Sequence, residues 1–284
     1  MFASLAALAL AATGPAPVVE WERQCAGKDG WSDPAPPVRI YGNTYNVGTC
    51  GIVVILVASP QGHILIDGAT AEAVPGIAAN VKRLGYRMRD VKWLLNSHEH
   101  VDHAGGLAAL KKRTGARIAA RAPAAKVLAT GKTDPADPQS GLIDDFAPVK
   151  VDRIIGDGEP ITVGTLALTA HATPGHTDGG TSWTWSSCSK NGCQKIVFAD
   201  SNSTPARPGY RFTDHPERVA TLRATLRKIY LMKCGILVTP HPAASALISR
   251  LQSDMFLIDG SACAAYSNRG RLALDKRLAE EAAK

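Results

Sequence analysis

"LLNSHEHVDHAGG", residues 94–106, is the stretch on which the reading of this 284-residue chain turns. An apolar run, "VKWLLN" (91–96), delivers four potential metal ligands within six positions: His98, His100, Asp102 and His103. Three of the chain's eight histidines sit there. In extended chain, side chains at i and i+2 point the same way, so His98 and His100 can reach one ion together. As the chain turns into the helix start at "AGG", Asp102 and His103 can be aimed at a second ion. Imidazole and carboxylate suit Zn(II), with iron or manganese as rivals. A solvated polar loop is the bland alternative, and HxHxDH directly behind an apolar strand argues against it.

A hydrolytic zinc usually takes three protein ligands and keeps a position for water. Each ion therefore needs another ligand from later in the chain. The candidates are His171, His176, His215 and His241. His176 lies in a Gly-rich turn, "HATPGHTDGG", and His241 follows a buried strand, "LVTPHP". His215, beside Pro216 at a helix start, reads as a cap or surface residue. His171 reads as packed, and His63 as structural.

Around the motif, "GIVVILVA" and "HILID" read as two buried strands of a hairpin joined by the turn "SPQG". Residues 71–85 have helical spacing and end at Gly85. "AGGLAALKKRTG" reads as a helix and "ARIAA" as a strand. Residues 122–150 read as a loop with a short helix. Gly-separated strands then run to a hairpin, "TSWTWSSCSKNGCQKIVFAD". In "DHPERVATLRATLRKIY", Val219, Leu222, Leu226 and Ile229 share a helix face, with Asp214 and Glu217 at capping-box spacing. "GILVTPH" is a last buried strand, and residues 269–282 a charged C-terminal helix. Strands and helices alternate in both halves, and the early hairpin argues against a purely parallel sheet. The pattern predicts an α/β chain with two mixed sheets and helices on their outer faces.

Apolar residues make up 45% and charged residues 20% of the chain, values that exclude a disordered polyelectrolyte. The formal charge is +7, but the cations are scattered, with no basic run interleaved with aromatics. Nucleic acid is therefore not expected as a partner. Residues 3–12 form an apolar run too short to cross a bilayer as a helix, followed by small residues and prolines. Residues 1–18 are expected to be a signal peptide, leaving 19–284 as a single domain that is periplasmic or secreted, with no membrane partner. The six cysteines fit an oxidising compartment. Sequential pairing is expected: Cys25–Cys50, Cys188–Cys193 and Cys234–Cys263. The middle pair flanks Asn191-Gly192, a tight-turn dipeptide.

HxHxDH, a distant GHT, an Asp after a strand ("VFAD") and a C-terminal His after a strand together resemble the metallo-β-lactamase fold superfamily. "LIDG" fits as well, since that resemblance makes Asp67 the brace of the HxHxDH loop. "PQGHILIDG", "HATPGHTDGGTSWTW", "FADSNS…PGYRF", "TPHPAAS" and "ACAAYSNRGRLALDKRLA" resemble subclass B3 in particular. The resemblance implies an αββα sandwich. It places His98, His100 and His176 on one zinc, and Asp102, His103 and His241 on another. No cysteine is a ligand in that scheme, and Ser201 stands where subclass B1 has its zinc-binding Cys. The implied activity is hydrolysis of the β-lactam amide of penicillins, cephalosporins and carbapenems by a hydroxide shared between two zinc ions, conferring antibiotic resistance. Asp102 would orient that hydroxide. Ser201, Ser203 and Gln139 would meet the substrate, and Thr177 and Asp178 would stand behind the ligands. A monomer acting on small-molecule antibiotics is expected. The alternative is another hydrolase of the same fold, a lactonase or a glyoxalase II-like thioesterase, in which Asp200 could bridge the metals. The stretch "SNSTPARPGY" departs from the subclass pattern, with Asn202 where an apolar residue is common.

Overall fold

The computed structural model describes residues 15–252 and 254–283; residues 1–14 of the expected leader lie outside them. After α1 (Pro15–Cys25), the chain forms β1 (Val38–Tyr41), β2 (Thr44–Asn46), β3 (Ile55–Val57) and β4 (His63–Ile66). Then come α2 (Val74–Arg83), β5 (Val91–Leu95), α3 (Val101–Ala104), α4 (Leu107–Thr114), β6 (Arg117–Ala120), α5 (Ala122–Thr130) and β7 (Arg153–Ile154). Among the described residues these seven strands form one sheet in the order β1 to β7, antiparallel as far as β4 and parallel from there.

The second half contributes β8 (Pro160–Val163), β9 (Leu166–Ala172), β10 (Thr181–Ser189), β11 (Gly192–Phe198), α6 (Pro216–Tyr230), β12 (Ile236–Val238), α7 (Leu247–Leu251), α8 (Asp254–Leu257) and α9 (Ala262–Ala282). Its five strands run β12-β11-β10-β9-β8, and only the β11–β12 pair is parallel. Both sheets are mixed, as expected.

The continuous apolar strands are explained by burial on both faces. Along β3, β4 and β5, Ile55, Val57, Ile64, Ile66, Trp93 and Leu95 face the opposing sheet. Leu56, Leu65 and Leu94, one residue out of phase, pack beneath α2 and α4 with Ile77, Val81, Leu107 and Leu110. The second sheet repeats the scheme. Ile196, Phe198, Ile236 and Val238 point inward, while Val197 and Leu237 meet Ile229 of α6 and Tyr266 of α9. The order of layers is helix, sheet, sheet, helix. Two indole N–H groups buried between the sheets find partners across them: Trp183 donates to the Asn96 carbonyl at 2.9 Å and Trp185 to Thr44 Oγ1 at 3.0 Å.

Two local expectations are corrected. Asp214 and Glu217 form no capping box; His215 is the residue at the start of α6, and no side chain caps it. The C-terminal helix begins at Ala262 rather than near 269 and runs straight through Gly270, because Ala262, Cys263 and Tyr266 are buried against the second sheet. All three expected disulfides are present, with Cα–Cα distances of 5.4, 3.9 and 5.8 Å in chain order. Cys188 and Cys193 are direct partners across the β10–β11 hairpin.

The links differ in what they restrain. Cys234–Cys263 spans 29 residues and joins α9 to the connection between α6 and β12, whereas Cys188–Cys193 spans five within a laddered hairpin. On the chain-entropy account, replacing the former pair by serines lowers unfolding free energy by about 3–4 kcal/mol and the latter by about 2 kcal/mol or less. Denaturant titration of the two double variants checks the order; equal losses would contradict it.

Candidate metal centre

The carboxyl ends of the parallel strands meet at one edge of the sandwich, the position where sheets of this kind build ligand crevices. Asp67 follows β4, His98 to His103 follow β5, and His241 follows β12. His176 comes from the β9–β10 connection. The expected loop geometry is observed. After β5 the chain bends through Ser97, Glu99 and His100, whose own backbone is extended, and then coils into α3, where the N–H groups of His103 and Ala104 bond back to the His100 carbonyl. The coil turns Asp102 and His103 away from the direction of His98 and His100.

Two sets of donor atoms result. One nitrogen each from His98, His100 and His176 lie within 4.8 Å of one another. In the other set, Asp102 Oδ2 is 3.1 Å from His103 Nε2 and 3.4 Å from His241 Nε2, and the two imidazole nitrogens are 3.2 Å apart. A tetrahedral zinc with ligands near 2.0–2.1 Å holds them about 3.3 Å from each other, so this triangle matches the edge that such an ion requires. His98 also lies within 4.8 Å of Asp102 and His103, so the two sets adjoin. The residues present fit a two-metal centre.

Each of the five imidazoles turns its other nitrogen outward onto an oxygen acceptor. His98 Nδ1 meets Asp200 Oδ1 at 2.8 Å, His100 Nε2 meets Asp137 Oδ2 at 3.1 Å, and His103 Nδ1 meets Asp67 Oδ2 at 3.2 Å. His176 Nδ1 meets the Ser203 carbonyl at 2.9 Å, and His241 Nδ1 the Gly51 carbonyl at 3.2 Å. These acceptors hold a ring proton on each outward nitrogen and turn the other nitrogen inward, toward where a metal would sit. His100 is the exception in orientation, presenting Nδ1 inward.

Asp67 braces the loop as expected. Its carboxylate accepts from the Ser97 N–H at 2.6 Å and the Ser97 hydroxyl at 2.7 Å, besides His103. It sits at φ +68°, a left-handed conformation that costs a non-glycine residue about 1–3 kcal/mol. Glu99, whose side chain alternates with those of His98 and His100, accepts from the Thr177 hydroxyl and the Gly179 N–H, both at 2.9 Å, and so ties the His176 turn to the ligand loop. Thr177 therefore stands behind the ligands through Glu99, while Asp178 turns outward to Arg218. Burial raises Glu99 and Asp200 above the usual carboxylate range.

Gln139 Nε2 lies 3.4 Å from His100 Nδ1, at the centre's edge. Ser201 is buried and Ser203 exposed, and it is the carbonyl of Ser203 that reaches His176. Asp200 directs Oδ1 at the outward side of His98 rather than at the space between the two sets of donors. His171 bonds Thr184 at 2.9 Å, His63 accepts from the Ser59 N–H, and His215 stacks on Tyr210; none joins the centre. Glu99, Asp137 and the two carbonyl acceptors were not singled out from the sequence. Glu99 had a signal in its alternation with the histidines, whereas Asp137 had none.

Protonation separates the two sets. Burial, with repulsion from the neighbouring imidazoles, holds His98 and His176 well below the ordinary histidine value. Burial also acts to lower His103, but Asp102 and Asp67 outweigh it and raise His103 to about 10. Burial acts to raise Asp102, and the His103 charge outweighs it, holding that carboxyl far down.

The family model described as "Metallo-beta-lactamase superfamily" matches residues 47–184. A probable metallo-hydrolase of Burkholderia pseudomallei (strain 1710b) is 34% identical over 145 residues, which cover 47% of each chain. A hydroxyacylglutathione hydrolase of Rhodopseudomonas palustris (strain BisB5) is 32% identical over 124 residues, 41% of this chain and 39% of that one. The chain thus spans about half or less of the length of these curated relatives. Among solved structures, the metallo-β-lactamase MIM-1 from Novosphingobium pentaromativorans is 50% identical, covers 93% of this chain and 98% of its own, and superposes with a TM-score of 0.90. MEM-A1, a subclass B3 metallo-β-lactamase from a soil metagenome library, is 40% identical with a TM-score of 0.86, covering 89% and 99%.

In the metal-free protein the raised His103 carries a second ring proton throughout pH 6–8, and an ion bound between Asp102, His103 and His241 would have to displace it. His98 and His176 are already neutral in that window. Affinity on the His103 side should therefore fall about tenfold for each unit the pH is lowered, whereas His98 and His176 add no such dependence to theirs. Chelator competition at pH 8, 7 and 6 measures both slopes; equal slopes would contradict the assignment.

Proposed function

Because this chain belongs to the subclass B3 metallo-β-lactamases, we propose that it hydrolyses the β-lactam amide bond of penicillins, cephalosporins and carbapenems, thereby conferring antibiotic resistance. The observation that carries the reading is the convergence of six donor side chains into two adjoining sets, inside a chain that matches subclass B3 structures almost end to end. The donor chemistry favours two zinc ions, one held by His98, His100 and His176 and one by Asp102, His103 and His241.

Metal ions held there supply Lewis acidity toward the lactam carbonyl and activate a water at neutral pH. The protein's own groups do the positioning. Asp102 commits Oδ2 to His103 and His241, leaving Oδ1 to orient the attacking water and accept its hydrogen bond. The outward acceptors hold the rings in place, so little reorganisation accompanies the reaction. Ser201, Ser203 and Gln139 are the residues proposed to meet the substrate carboxylate. The three disulfides and the apolar leader favour an exported protein, periplasmic or secreted, and we take a monomer as its working form. No helix among the described residues is long and apolar enough to cross a membrane.

The rival reading is a thioesterase or lactonase of the same fold, in line with the hydroxyacylglutathione hydrolase relatives. Against it, Asp200 faces the back of His98 rather than the space between the donor sets.

Purified, zinc-loaded protein should hydrolyse a cephalosporin and a carbapenem in a chelator-sensitive manner, and far more efficiently than a glutathione thioester or an acyl lactone. The reverse preference, or no lactam turnover, would refute the proposal. Asp102→Ala should lose one of two zinc ions and lower kcat/KM by about a hundredfold or more, since losing a ligand exceeds losing a ligand's partner. Unchanged zinc content and rate would refute the role of Asp102.

A further inference from the structure

Asn202 departs from the subclass pattern, and its side chain points away from the metal centre, into α9. Its Nδ2 donates to the Tyr266 carbonyl at 3.3 Å. The Tyr266 hydroxyl, fully buried, donates in turn to the Asp200 carbonyl at 3.0 Å. One residue of α9 thus grips the chain on both sides of Ser201. The same four-residue turn supplies two of the acceptors behind the centre, Asp200 Oδ1 for His98 and the Ser203 carbonyl for His176.

A second feature lies against the same amide. Gly270 lies inside the 21-residue α9, where glycine is disfavoured relative to alanine. A Cβ at Gly270 would stand 2.6 Å from Asn202 Nδ2 and 2.8 Å from its Cγ, and 2.7 Å from the end of Leu226. The missing side chain is what lets the Asn202 amide lie against the helix. The platform itself is firmly seated. Cys263 is bonded to Cys234, Ser267 donates to the Leu226 carbonyl at 2.6 Å, and Tyr266 packs on Val197 and Leu237.

We infer that α9 acts as a clamp on residues 200–203, with Asn202 and Tyr266 as positioning residues that set His98 and His176 for the first ion. The inference rests on the two-zinc reading above. In this arrangement Asn202 does not contact substrate or metal. It fixes where the Ser203 carbonyl stands, and so the angle at which His176 presents its inward nitrogen. The second ion's ligands have their acceptors elsewhere, at Asp67 and Gly51, and are independent of the clamp.

The test uses the whole protein, with zinc and cobalt(II) as probes and a chromophoric chelator as competitor, so that the two ions are resolved. Asn202→Leu removes the amide at similar volume, and Tyr266→Phe removes only the hydroxyl. Each should weaken the first ion by about tenfold and leave the second unchanged. Gly270→Ala should weaken the first ion in the wild-type background but add nothing in an Asn202→Ala background. The added methyl also presses on Leu226, so thermal stability falls in both backgrounds, and first-ion affinity is the discriminating quantity. Wild type that binds two ions, with variants that match it or lose both ions alike, would overturn the clamp. Wild type that binds fewer than two would instead overturn the two-zinc reading.

Discussion

Five imidazoles can aim one nitrogen each into a shared pocket only if the other nitrogen of every ring finds an acceptor outside it. The rest of the structure follows from that constraint. Three carboxylates and two main-chain carbonyls meet the five outward nitrogens at 2.8–3.2 Å. Without them the rings could rotate or take a second proton, and charged neighbours would repel at this spacing. With them, the inward lone pairs are presented before any ion arrives. The one pair that holds an extra proton is Asp102 and His103, and an ion bound there would have to displace it.

Supplying those acceptors dictates the architecture around them. They come from the ends of β4 and β11, from the turn before β3, from the long loop after α5 and from the segment leading toward α6. The two-sheet sandwich brings these distant segments to one edge. Its rigidity comes from strands buried on both faces, with Ile, Val, Leu and Trp on the inner side and a second apolar set under the helices. The sheets also bind the ligand loop directly. The Trp183 indole and the Thr181 N–H hold the carbonyls of Asn96 and Ser97, and Asp67 accepts a left-handed backbone to hold the rest.

What could be read from the sequence, and what could not, divides along the same physical line. The ligands were legible because local geometry fixes them: alternation sends His98 and His100 one way, and the helix start turns Asp102 and His103 another. The strands were legible because burial on both faces leaves an unbroken apolar run. The cysteine pairing was legible where a tight turn separates the partners. The acceptors behind the ligands were mostly hidden, because each is joined to its histidine only by tertiary folding. Asp137 lies 37 residues from His100 and Asp200 lies 102 from His98, and carbonyl acceptors leave no trace in residue type. The start of α9 is hidden for a related reason: its first turns, Ala262 to Tyr266, are buried against the second sheet and lack the charged pattern of 269–282.

The most direct test of the account is anomalous diffraction at the zinc edge from crystals of the zinc-loaded protein. The account predicts two peaks about 3.5–4 Å apart. One should lie about 2.0–2.2 Å from nitrogens of His98, His100 and His176, and the other at the same range from Asp102, His103 and His241. A single peak, or an ion bound by Asp200 in place of this set, would contradict it.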